Sequence, residues 1–131
     1  MKAICCRLHR GDDLLLSLQK LAQENHIDAA VVLCGVGCIS QARLRDASGI
    51  TMRSIDEPCE IVSVTGTVSV NRCHVHISLS REDLSTLGGH LVAGCIVNTT
   101  CELVLGILEN WRFGVEQDNQ TGYDEIVFRE V

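Results

Sequence analysis

Residues 73 to 80 read Cys-His-Val-His-Ile-Ser-Leu-Ser, and apolar and polar side chains alternate without a break. A β-strand sends successive side chains to opposite faces, whereas a helix would scatter this pattern around its axis. The segment therefore reads as a strand with Cys73, Val75, Ile77 and Leu79 on a buried face. His74, His76, Ser78 and Ser80 take the other face. Such a strand needs partner strands and a core on one side only. On its open side, residues i and i+2 aim two imidazoles at one place. Gly88-Gly89-His90 follows and reads as a glycine loop that can bring up a third imidazole.

The rest of the chain supplies material for a sheet. Val, Ile and Thr are abundant and aromatics make up only 3%, so the core must be built from aliphatic side chains and Cys. Apolar residues reach 46% and charged residues 21% of 131 positions, the balance of one globular domain, taken as 1–131. Met1 to Leu8 reads as a strand. Gly11-Asp12-Asp13 then opens a helix, with acids in its first turn and Leu14, Leu15, Leu18, Leu21 and Ala22 at helical spacing. This is the one strongly periodic helix, and it should end near Asn25-His26. Ala29 to Val36 is a continuous apolar run, expected to be a central strand buried on both faces. Cys38 to Asp46 and Ile50 to Ile55 read as a hairpin around Ala47-Ser48-Gly49.

Glu60 to Val70 reads as a strand pair, or as one strand with a bulge at Gly66. Arg81 to Leu87 has room for a short helical turn, and Leu91 to Val97 is a second apolar run. Cys101 to Leu108 is strand-like. Trp111 to Val115 and Tyr123 to Val131 read as a terminal strand pair. The class is α+β: a large, antiparallel-dominated mixed sheet with one main helix.

Charge and cysteine usage narrow the function classes. A net charge of −6, with no run of Lys or Arg, disfavours strong binding to nucleic acid. No segment approaches the ~20 apolar residues of a membrane span. The N-terminus lacks the basic start and apolar run of a secretion signal, so a reducing cytoplasm is expected. There, the eight cysteines act as small hydrophobes, and the Cys34–Cys38 pair reads as packing rather than as a metal site.

The order of motifs resembles the plants-and-prokaryotes conserved domain family, called PPC or PCC. The residues that carry the likeness are Arg7-Leu8-His9-Arg10-Gly11-Asp12-Asp13-Leu14, Gly35-Val36-Gly37 and Glu60-Ile61-Val62-Ser63-Val64-Thr65-Gly66. His74-Val75-His76-Ile77-Ser78-Leu79, Gly88-Gly89-His90-Leu91 and Thr121-Gly122-Tyr123 complete it. The resemblance implies a compact domain that assembles as a homotrimer. In plant relatives this domain follows an AT-hook, which enters the DNA minor groove, and itself mediates trimerisation and contacts to other proteins. The chain shows no such Arg-Gly-Arg-Pro element. The resemblance further implies a metal at the positions of His74, His76 and His90.

Two function classes follow. One is a trimeric binding or regulatory module, with a protein partner or DNA, whose three histidines hold Zn2+. The other is a small zinc-dependent hydrolase or hydratase acting on a small anionic substrate through metal-activated water. The second needs an acid or base, for which Glu60 and Glu102 are the candidates. Arg43 and Arg45 share a strand face and read as solvated surface or as anion binders. Ser78 and Ser80 lack a nucleophile-elbow context. Gly35 and Gly37 lack the third glycine of a dinucleotide fingerprint and read as close packing. Trp111, Arg112 and Phe113 read as a subunit contact or core edge.

Overall fold

A computed structural model describes residues 1–131. Nine strands and one helix follow in the order β1 (Lys2–His9), α1 (Leu14–Glu24), β2 (Ala30–Arg45), β3 (Met52–Ile55), β4 (Cys59–Val68), β5 (Cys73–Ser80), β6 (Thr86–Leu91), β7 (Ile96–Ile107), β8 (Trp111–Asp118) and β9 (Tyr123–Glu130). The main sheet runs β1-β7-β2-β4-β5-β6, with β3 added on β2. The antiparallel-dominated sheet is thus observed, and every pairing in it is antiparallel.

The length of β2 shapes the fold. Its first part lies between β7 and β4. Its last residues leave β4 and pair instead with β3 on one side and β6 on the other, through Leu44↔Leu91 and Arg45↔His90. The path β2-β4-β5-β6 therefore closes back on β2. Closure covers the edge of β6 at His90 and Leu91. Inside the closed part, Val64, Val75, Ile77, Leu79 and Leu91 are buried.

Helix α1 closes the core beside β4 and β5. Leu14, Leu18 and Ala22 lie on one stripe and are fully buried. Each Leu contributes roughly 1.5–3 kcal/mol by leaving water. The acids expected in the first helical turn lie just before it. Asp13 is the N-cap, and its Oδ1 accepts the Leu16 amide at 3.1 Å. Its Oδ2 accepts the Gly94 amide at 2.8 Å, which fastens the helix start to the β6–β7 turn. Gly94 has φ +112, a conformation that strains any residue with a Cβ.

Several local expectations are corrected. The apolar run in β2 is not buried on both faces: Leu33 is 47% and Val36 54% exposed, because the one helix covers only one side of the sheet. The bulge in β4 falls at Val62, between the pairs Ile61↔Leu79 and Ser63↔Ser78, and Gly66 stays in register with Val75. Gly88-Gly89-His90 is no loop but the middle of β6, its backbone paired with β5. Residues 81–85 make a tight turn rather than a helical one, with Leu84 at φ 68. β7 begins at Ile96, five residues before the strand read from sequence.

The terminal strand pair is observed as the hairpin β8–β9. It is tied to the rest by Phe113, which is buried and stacks edge-on against Phe128 at 5.1 Å. The Phe113 amide donates to the Asp28 carbonyl at 3.0 Å, and Arg72 pairs with Glu125 at 3.5 Å. Phe113 is thus a core edge, while Trp111 is 39% exposed and Arg112 pairs with Asp28. Gly37 packs closely, as read: a Cβ there would strike the Thr100 carbonyl.

Candidate metal centre

Register brings the three histidines together. His74 and His76 sit on the outer face of β5, two residues apart. His90 lies directly opposite His76 on β6. Ring centroids are 5.1 Å apart for His74–His76, 5.2 Å for His74–His90 and 5.5 Å for His76–His90. One ring nitrogen from each lies within 4.8 Å of the others. Nitrogens bound at ~2.0–2.1 Å to one tetrahedral ion stand about 3.4 Å apart, so the imidazoles must draw together by side-chain rotation to close on an ion. The strand pairing, not a loop, holds the third imidazole. That requires the glycines: a Cβ on Gly88 would collide with the Ile77 carbonyl across the ladder.

Electrostatics favour the uncharged form of His90 and His74. Burial, the Arg45 guanidinium and the neighbouring His74 and His76 push His90 down to about 4. Burial first, then Arg72 and His76, lowers His74 as well. Neutral imidazole is the form that ligates a metal. His90 Nδ1 is also buried without a hydrogen-bond partner. A buried lone pair left unpaired is costly unless something satisfies it. The donor set therefore fits a divalent ion of borderline softness, with three nitrogens and an open position.

Clefts flank the cluster. One, about 460 Å3, is bordered by Arg45, Ser63, Thr65, Ser78 and Gly88. A second, about 450 Å3, lies toward Arg72, Tyr123 and Asp124. The remaining candidates are not gathered there. Glu60 pairs with Cys38 and Ser80, and Glu102 with Arg7 and Val36 on the β1-β7-β2 side. Neither borders a cleft beside the histidines. Ser80 is at the far end of β5, opposite Thr86. Ser78 borders the first cleft beside His76 and His90, the imidazoles of the candidate metal cluster. Arg43 packs over Gly94, away from the cluster, whereas Arg45 is the cross-strand partner of His90.

The cysteines divide by burial. Cys59, Cys95 and Cys101 are buried, which pushes Cys95 up to about 12 and Cys101 up to about 11. Cys34 is exposed instead of packed, and Cys38 reaches the Asn98 carbonyl at 3.1 Å.

A model of the Plants and Prokaryotes Conserved (PCC) domain matches residues 1–109. The chain belongs to this family. Its PCC fold is similar to a hypothetical protein from Salmonella, with TM-score 0.95, 30% identity and coverage of 98% of this chain and 94% of that one. A metal-containing protein from Archaeoglobus fulgidus superposes with TM-score 0.82 at 27% identity, covering 97% and 94%. A candidate DNA-binding protein from Bacteroides thetaiotaomicron shares the fold, with TM-score 0.86 at 24% identity over 96% and 91%. Among curated proteins, a bifunctional protein GlmU from a Synechococcus strain is 35% identical over 131 residues, all of this chain but only 21% of that one. The PCC chain thus spans about a fifth of the length of the curated relatives it matches. No helix in it is long and apolar enough to cross a membrane.

The Arg residues and the hydroxyls were the part of the site hardest to read in sequence. Thr65 reaches His76 through β4–β5 pairing, and Arg72, which carries no motif, borders the second cleft from just before β5. Tyr123 and Asp124 arrive from a hairpin beyond the family match.

Proposed function

We propose that this PCC chain is a metal-binding module in which His74, His76 and His90 hold one Zn2+. The observation that carries the reading is the convergence of three ring nitrogens, one from each histidine, within 4.8 Å. The metal-containing archaeal neighbour supports it. Zinc ranks first because three neutral imidazoles suit it and leave a fourth position open. The test is direct: purified protein carries close to one zinc per chain, and His76→Ala loses it. Native protein free of metal at neutral pH overturns the reading.

The module reading stands above the hydrolase because Glu60 and Glu102, the carboxylates nominated to move a proton, border no cleft beside the histidines, and Asp46, which borders one, is engaged by Arg53 and Ser48. The chain also matches a fifth of a longer protein, which suits a unit used as a part. The whole chain acts as one unit, since Phe113 and the Arg72–Glu125 pair fasten β8–β9 to the family-matched part. Assembly is as a homotrimer, which would cover the exposed Leu33 and Val36; light scattering that finds a monomer removes it. Eight free thiols suit a reducing cytoplasm.

A role with DNA is the second reading, favoured by the Bacteroides neighbour. The net charge of −6 confines any such contact to a local basic patch. Absence of salt-dependent retardation of a labelled duplex eliminates it.

A further inference from the structure

We propose that Arg45 and the hydroxyl-lined cleft beside the histidines form a subsite for the carboxylate of a small hydroxy acid. The oxygens of that ligand bridge the guanidinium and the open position of the histidine cluster. The second contact rests on the metal reading above; the contact to Arg45 stands on its own geometry.

The first observation is an orphaned donor. Arg45 Nε is buried and has no hydrogen-bond partner. The ion pairs of the chain use Lys20, Arg53, Arg72, Arg81 and Arg112, and Arg45 takes part in none. A guanidinium held partly out of water with a free N–H is unfavourable unless an acceptor arrives. Its planar fork matches a carboxylate through two parallel hydrogen bonds.

The second observation is position. Thr65, His76, His90 and Arg45 are successive cross-strand partners on β4, β5, β6 and β2. Cross-strand partners project to the same face, so this row places a cation directly beside the histidines. The next row along the same face is Ser63, Ser78 and Gly88. It brings two hydroxyls, while the glycine adds no side chain and leaves the backbone of β6 open to the cleft. The space, about 460 Å3, admits a small metabolite.

The third observation is charge. The one acid bordering this cleft is Asp46, and its carboxylate is already engaged by Arg53 at 2.9 Å and by the Ser48 amide at 2.9 Å. Nothing in the cleft neutralises Arg45. A single guanidinium with hydroxyls suits a monoanion carrying its own hydroxyl. A phosphate dianion calls for more cationic or amide donors than the cleft offers.

The experiment uses the full zinc-loaded chain, with lactate as the probe and lactamide as its neutral isostere. Calorimetry or ligand-observed NMR should show lactate binding about tenfold tighter than lactamide. Arg45→Gln should erase that preference while zinc content stays unchanged, and Arg45→Lys should keep part of it. Equal binding of lactate and lactamide overturns the proposal. So does inorganic phosphate binding tighter than lactate. An Arg45→Gln variant that changes the light-scattering mass but keeps the lactate preference also overturns it, since the guanidinium then serves a neighbouring chain. If the protein holds no zinc, the metal reading fails separately. Arg45 is then judged on the metal-free chain, where a preference for lactate over lactamide supports the subsite and its absence overturns it.

Discussion

His76 and His90 face each other across the β5–β6 ladder, with ring centroids 5.5 Å apart. The pair is set by backbone register, so it exists before any ligand arrives. Preorganisation of this kind lowers the ordering cost of binding.

Removing either member should abolish metal-linked stability. A ligand that binds only the folded chain adds about 2.7 kcal/mol at one hundred times its dissociation constant. Thermal melts with excess zinc and with chelator should therefore differ by several degrees for the wild type. For His76→Ala and for His90→Ala the two melts should coincide. A zinc-dependent shift that survives in both variants removes these residues from the site.

Gly88→Ala should damage the site without touching a histidine. The new Cβ meets the Ile77 carbonyl, which is backbone and cannot swing aside. β6 must then move away from β5, at a cost of about 1–3 kcal/mol. Separation of the strands pulls His90 from His76, so zinc affinity should fall along with the denaturation midpoint. Gly49→Ala is the control: it has φ +77 but open space around it, so it should lose some stability and keep its zinc affinity.

Asp13→Ala tests the clamp at the helix start. The carboxylate caps α1 through Leu16 and holds Gly94 across the chain. Loss of an N-cap costs about 1 kcal/mol, and the second bond adds a similar amount. Urea denaturation should show a drop of about 2 kcal/mol. Asp13→Asn retains one acceptor oxygen and should lose about half as much. Equal stability of the alanine variant and the wild type would contradict the clamp.

Acid should destabilise the metal-free protein in a window set by His90. Its environment comprises His74 and His76 on β5, Arg45 on β2, and Arg72 just before β5. Together with burial these hold its folded pKa at about 4, against 6.5 ordinarily. Between those values the unfolded chain takes up a proton that the folded chain refuses. Stability is therefore fully present above pH 6.5, falls as pH drops, and levels off for this residue below about 4. Urea midpoints measured in chelator at pH 7 and pH 5 should show a smaller drop for His90→Gln than for the wild type.

The alternating strand at residues 73–80 was legible because one face is buried and the other is not, so period and burial agree. The same logic found α1 and the β8–β9 hairpin. It failed where tertiary structure overrides local pattern. Gly88 and Gly89 look like a loop in sequence, yet the ladder needs residues without a Cβ at Gly88, and so β6 uses them as strand. Val36 looks buried, yet its face is left open by a chain with a single helix. Three histidines could be nominated from spacing and resemblance. Arg45 could not be placed beside His90, because that contact depends on the long β2 strand bending to meet β6.

The thiols should separate into two classes by reactivity. Burial raises Cys95 to about 12 and Cys101 to about 11, so almost no thiolate forms on either at pH 8. The thiolate is the reactive form, and both sulfurs are also shielded from reagent. Cys5 and Cys34 are exposed on β1 and β2, flanking Val104 from opposite sides in register. Iodoacetamide at pH 8 should therefore label Cys5 and Cys34 in minutes and leave Cys95 and Cys101 untouched until urea is added. Mass spectrometry of the labelled peptides reads the order. If the chain trimerises through the β1-β7-β2 face, Cys34 labelling should slow as protein concentration rises, while Cys95 stays silent throughout. Early labelling of Cys95 in folded protein would mean that the core beside Asp13 opens far more readily than its packing allows.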